Sequence, residues 1–188
     1  MRRRLLLLMF TLFFSFGLQA HNLRIGAPLP RVGVADKGEL LYQNNEFSYK
    51  SWNSAQLKGK IHLVQHMAAR TSASEMNAAM VEAIKKASLP GKYYQTATIV
   101  NGDDALFGSL AYSRNWLENN KKMSPAAQFI LDVHGDVRQA WGLRAKSSAI
   151  VVLDAGGRVR YIKEGALTLP DVQQVIELLH RLLPRGAM

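Results

Sequence analysis

The side chains in this chain that could do chemistry are few, and the most reactive kind is missing. Its 188 residues include no cysteine. Thiol–disulfide exchange and thiol peroxidase chemistry are therefore excluded, because both need a thiolate as the attacking group. Five histidines remain. His62 and His66 stand four apart, a metal-ligand spacing on a helix. They fall, however, in Ile61-His62-Leu63-Val64-Gln65-His66-Met67, an apolar run with the length and β-branching of a central strand. Four residues of strand span roughly 13 Å, too far for one ion, so both histidines read as structural. His21 would carry an α-amine and an imidazole if it were a mature terminus, a copper-chelating pair once a second His approaches. A frayed end is the plainer reading there. No metal site and no cofactor follow from these residues, and Gly156-Gly157 lies in a turn rather than a phosphate loop.

Hydroxyls offer little more. No Gly-x-Ser-x-Gly elbow is present, and Ser109 after Gly108 lacks the second glycine. Asp103-Asp104 reads as a pair of loop acids facing water. Arg70-Thr71-Ser72 is the most suggestive cluster, because it follows the predicted central strand and precedes a predicted helix. Helix amides beside a guanidinium would suit a carboxylate, a phosphate or another anion. The plainer reading has Ser72 capping the helix, a stabilisation of about 1 kcal/mol, with Arg70 solvated.

The elements that must position these residues are legible in outline. Val32 to Tyr42 alternates around Asp36-Lys37-Gly38-Glu39, which predicts two short strands with a turn at Lys37-Gly38. Ser48 to Leu57, with Tyr49 and Trp52, reads as an irregular approach segment. Ser72-Ala73-Ser74-Glu75 predicts a capping box opening a helix to about Ala87, which Leu89-Pro90-Gly91 stops. Tyr94 to Asn101 and Gln128 to Asp132 read as strands, and Tyr112 to Lys121 as a helix. A turn is expected at His134-Gly135-Asp136. Ala149 to Leu153 and Val159 to Lys163 form a hairpin, and Leu169-Pro170-Asp171 opens a last helix. Strands alternating with helices, then a hairpin and a helix, define an α/β chain with a mixed sheet flanked by helices.

Residues 1–20 read as an export signal: Arg2-Arg3-Arg4, an apolar stretch from Leu5 to Phe16, and Leu18-Gln19-Ala20 before a cleavage point. The stretch is shorter than the ~20 residues that span a bilayer. Cleavage after Ala20 leaves residues 21–188 as one domain in the periplasm of a Gram-negative cell, without stable membrane insertion. The formal charge of +10 loses three positive charges with that segment. The remaining lysine pairs are scattered and lack interleaved aromatics, so nucleic-acid binding is not expected.

Several stretches carry a resemblance. Ile25-Gly26-Ala27-Pro28-Leu29-Pro30, Leu57-Lys58-Gly59-Lys60 and Ile150 through Val159 resemble redoxin and TlpA-type thioredoxin-fold proteins. Phe47 to Leu57, Arg70-Thr71-Ser72-Ala73 and Thr98-Ile99-Val100-Asn101-Gly102-Asp103-Asp104 resemble the YtfJ family of exported bacterial proteins more specifically. The resemblance implies a thioredoxin-like mixed sheet with an N-terminal β-hairpin extension, and it brings no reaction with it. It also implies where the redox site would fall. The cysteine pair would lie near Ala69-Arg70-Thr71-Ser72, and the facing cis-proline near Ser147-Ser148. Both halves are replaced. Arg70, Thr71, Ser72, Ser147 and Ser148 thus become the candidate binding residues of a scaffold that holds a peptide or partner strand by main-chain pairing. The alternative is a non-redox enzyme or small-anion binder built on Arg70-Thr71-Ser72.

Overall fold

The computed structural model describes residues 21–187; the export signal expected over residues 1–20 lies outside them. At the centre of the sheet runs β3 (Ile61–Ala68), every residue of which is buried. It pairs in parallel with β4 (Tyr94–Asn101) and antiparallel with β6 (Ser148–Leu153). Beyond β4 lies β5 (Gln128–Asp132), parallel to it, and beyond β6 lies β7 (Val159–Glu164), antiparallel. β1 (Gly33–Gln43) and β2 (Glu46–Asn53) complete the sheet in the order β2-β1-β5-β4-β3-β6-β7.

Strand alternation divides the core. Ile61 and Leu63 of β3 pack with Met80, Val175 and Leu179, so α2 (Ala78–Ala87) and α5 (Leu169–Leu182) cover that face. Further along the same face, Met67, Val100 and Phe129 pack against Leu117 of α3 (Ser109–Met123). Val64, Ile99, Ile130 and Val151 point the other way, onto Val137 and Trp141 of α4 (Asp136–Trp141) and onto Leu23. Leu23 is buried and Asn22 N donates to the Trp141 carbonyl at 2.7 Å. The segment after His21 is therefore packed rather than frayed.

Three local expectations are overturned. Lys37-Gly38 is not a turn between strands but part of a bulge in one strand, where the β1–β2 register breaks between Val34 and Glu39. Gly38 has φ 76°, and a Cβ there would sit 2.2 Å from the Lys50 carbonyl oxygen. The hairpin turns instead at Asn44-Asn45, both with positive φ, the geometry of the tight turns that match strand twist. The segment expected to be irregular is mostly β2, with Trp52 buried.

The third correction concerns the helix after β3. Ser72 does not cap it. The chain leaves β3 with Arg70 still extended (φ −143°, ψ 142°), so helical geometry begins at Thr71 and Ser72 is already inside the first turn. The helix also breaks: α1 covers Thr71–Glu75 only, and α2 starts after Asn77. Asn77 is fully buried, and its side-chain oxygen accepts a hydrogen bond from Ser148 Oγ at 2.6 Å. That bond ties the break between α1 and α2 to β6. α3 begins three residues earlier than expected, and α4 was not expected as a helix. Both Asp132 oxygens cap α4 by accepting from Asp136 N and Val137 N.

Candidate functional site

The site implied by the sequence lies where β3 and β4 end and β6 begins. Arg70 sits at the exit of β3, half-buried. Its Nε donates to the Asp104 carbonyl at 2.6 Å, and among the described residues this is the guanidinium's one hydrogen bond. Asp104 belongs to a 3-10 turn, Gly102–Asp104, that follows β4. Its Oδ2 accepts from Asn101 Nδ2 and from Lys146 N, both at 2.8 Å. Asp104 is thus a hub that ties the end of β3, the end of β4 and the approach to β6 together.

Ser147 and Ser148 are both buried. The Ser147 carbonyl accepts from Ala68 N at 2.9 Å, so this acceptor is already engaged within the sheet. The hydroxyl of Ser148 turns inward to Asn77, away from Arg70. All described peptide bonds are trans. Lys146 adopts φ 59°, a left-handed conformation uncommon for a lysine, and the Asp104 carboxylate holds its amide there. Thr71 and Ser72 are exposed at the start of α1.

Of the five candidates, then, Arg70 and Ser147 share one corner through Asp104 and Ala68, while Ser148 belongs to the core and Thr71 and Ser72 face solvent. The residues that sequence reasoning missed are Asp104, Asn101, Lys146 and Asn77. Asp103-Asp104 is no pair of water-facing acids: Asp104 is buried, and Asp103 pairs with Arg138 at 2.8 Å. The signal that could have exposed this is Asn101 directly after an apolar strand, whose side chain accepts from Asp103 N in a local turn.

Beside Arg70 opens a small slot lined by Met67, Val100, Tyr112 and Trp116, with a volume of about 20 Å³, room for roughly one water. Tyr112, Ser113 and Trp116 of α3 form one wall of it, and residues 105–108 join the 3-10 turn to that helix. Leu106, Phe107 and Tyr112 are more than half exposed, Phe107 completely. Ser109 Oγ and N both bond the Leu106 carbonyl, which fixes the loop against the start of α3.

None of the candidate hydroxyls hydrogen-bonds a histidine among the described residues. His66 is fully buried on β3, and burial, with Arg138 adding to it, pushes its pKa down to about 3. It is neutral at physiological pH. His62 bonds the Lys60 carbonyl through Nδ1. No group of three His, Asp or Glu side chains able to hold a metal occurs among the described residues. No helix among them is long and apolar enough to cross a membrane.

A sheet of this topology, with Arg70, Thr71 and Ser72 at the helix start where sulfur would do the chemistry, defines a cysteine-free thioredoxin-like protein. Thiol oxidoreductase and thiol peroxidase activity are ruled out with the sulfur. The chain belongs to the family described as "Bacterial protein of unknown function (YtfJ_HI0045)", whose model matches residues 23–182. It is 54% identical over 164 residues to "Uncharacterized protein YtfJ" of Escherichia coli (strain K12), covering 87% of this chain and 89% of that one. A Haemophilus influenzae protein is 40% identical over 182 residues, covering 97% and 99%. Among solved structures, a DsbF homologue from Corynebacterium diphtheriae is similar with a TM-score of 0.56 at 18% identity, over 89% of this chain and 98% of that one. That likeness concerns the fold alone.

Proposed function

We propose that this protein acts by binding, and that it uses the corner around Arg70 and Asp104 to hold a peptide or partner segment. The observation that carries the reading is the pairing of an anchored guanidinium with exposed apolar side chains. Arg70 is fixed through Nε and keeps its terminal nitrogens free of hydrogen bonds among the described residues. Tyr112 lines the slot together with Arg70, and Leu106 and Phe107 stand in solvent on the segment that joins Asp104 to α3. Contiguous exposed apolar side chains mark interaction sites more often than they mark idle surface. Ser147 contributes position rather than pairing, because its carbonyl is engaged by Ala68 N. The small-anion reading loses ground, because α1 has five residues and so short a helix aligns few peptide dipoles.

Export completes the proposal: the chain is secreted to the periplasm and cleaved after Ala20, as the segment Arg2 to Ala20 suggests. A photo-crosslinking amino acid placed at position 107, and separately at 55 on another face, tests both halves in whole cells. Adducts formed at 107 and not at 55, in an osmotic-shock fraction whose N-terminus is His21, are the expected result. Equal labelling at both positions, or a cytoplasmic product that retains Met1, overturns it.

A further inference from the structure

The corner carries more than a surface; it carries a sign and a shape. Of its cations, Arg70 has no ion-pair partner among the described residues, and Lys146 is exposed and unpaired. Its acids are occupied. Asp103 is paired with Arg138, and Asp104 is buried with its Oδ2 doubly bonded. The opposing charge on α1 is Glu75, at the far end of that helix. The donors on the Asp104 carboxylate are neutral groups, and the terminal nitrogens of Arg70 are left without an acceptor among the described residues. Apolar surface follows in the chain: Leu106 and Phe107 are exposed two and three residues after Asp104, and the slot that Arg70 shares with Met67 and Trp116 accepts no more than the tip of a side chain.

Resting on the binding reading above, we infer that the occupant is an extended segment of another protein that carries a carboxylate within a few residues of a large apolar side chain. The carboxylate takes the terminal nitrogens of Arg70, whose planar fork suits a two-oxygen acceptor. The apolar side chain covers Phe107 and Leu106 with its tip at the slot. The geometry disfavours two other occupants. A bilayer would reach Phe107, which is fully exposed, but a flat surface leaves the half-buried Arg70 unmatched. A second copy of this chain, docked about a two-fold axis that passes through this corner, would bring Arg70 and Lys146 close to their own equivalents, a like-charge contact.

The test uses the mature chain and short synthetic peptides of one length. One holds Leu-Phe flanked by glutamates. The second has lysines in place of the glutamates, and the third has serines in place of Leu-Phe. Amide chemical shifts locate binding, and titration gives affinity. The glutamate Leu-Phe peptide should move amides of residues 70–74 and 104–112 and bind about tenfold more tightly than either control. Arg70→Gln should erase the preference for glutamate over lysine, whereas Arg70→Lys keeps part of it; Phe107→Ser should erase the preference for Leu-Phe over serine. Melting curves of each variant confirm that it is folded.

Equal binding of the glutamate and lysine peptides at this face would overturn the carboxylate while leaving the binding corner standing. If no peptide moves these amides, or if shifts gather elsewhere, both fail. Anionic phosphatidylglycerol vesicles that bind in a Phe107-dependent way without any peptide response would transfer the site to a membrane. Concentration-dependent dimerisation lost with Phe107→Ser would transfer it to a second copy.

Discussion

Two corners of this molecule turn a strand into a helix, and they do it by opposite means. At the β7–α5 corner the helix start is built from its own sequence. The Thr168 hydroxyl accepts from Asp171 N, the Asp171 carboxylate reaches back to Thr168 N, Pro170 occupies the first turn, and Lys163 pairs with Asp171. At the β3–α1 corner the nearby Ser72 and Glu75 have the same spacing and do neither job. Arg70 takes the cap position without a side-chain cap bond, and the restraints come from elsewhere in the chain: Asp104 grips Arg70 and Lys146, and Ser148 grips Asn77. A capping signature works only where the chain enters it in extended form at the right residue. At α1 the helix begins two residues too early for that, with Arg70 rather than Ser72 at the cap.

The contrast can be broken, and the largest expected effect lies at Asp104. Asp104→Ala should cost about 2 kcal/mol in a urea melt, because it strands Asn101 Nδ2 at a buried position and frees the Lys146 amide from its acceptor. A cost near zero would mean that the distant restraints are idle.

Acid separates the corners next. His66 on β3 is neutral in the folded protein, with its pKa depressed to about 3, whereas the unfolded chain takes up a proton near 6.5. The unfolded state binds more protons, so stability present above pH 6.5 falls as pH drops, by about 2 kcal/mol at pH 5. His66→Leu should flatten that slope between pH 6.5 and 5. Asp171 responds far lower. Hydrogen bonds from Lys163 and Thr168 hold its pKa down to about 2, so its contribution is complete above the ordinary carboxylate range and goes only as pH falls through about 2. Denaturant midpoints measured from pH 7 to pH 2 should show two declines: His66→Leu should shrink the first, to which His62, also held down by burial, contributes the remainder, and Asp171→Asn should shrink the second.

The two smallest effects complete the comparison. Thr168→Ala should cost about 1 kcal/mol through the lost cap of α5. Ser72→Ala should stay within about 0.5 kcal/mol, because its hydroxyl caps nothing and faces solvent. If the two substitutions cost the same in thermal melts, α1 is capped after all.

What could be read in the sequence follows the same division. α5, the β6–β7 hairpin and β3 to β5 were legible because their signals are local: alternation, apolar runs, Leu169-Pro170-Asp171 at a helix start, and Gly157 in a turn. The bulge at Gly38 was misread as a turn because Asp36-Lys37-Gly38 has turn composition, and only the partner carbonyl of Lys50 distinguishes the two. The break at Asn77 depends on Ser148, 71 residues away, and Asp104 depends on Lys146, 42 residues away. Neighbouring residues do not record such contacts. Of the candidate site, Arg70 was found by its place at the strand exit, while its anchor was not.

The bulge in β1 reaches further than the hairpin it distorts. β2 is an outer strand of the sheet, and outer strands expose a row of unpaired backbone groups that can recruit other chains into aggregates. The extra residues opposite Ser51 bend and twist the β1–β2 ribbon, and Asp36 within them latches to Val133 N at 2.8 Å. A crooked rim of this kind makes a poor template for a straight incoming strand. Gly38 therefore guards solubility as well as shape, and replacing it with valine would release into solution a chain prone to stack on itself.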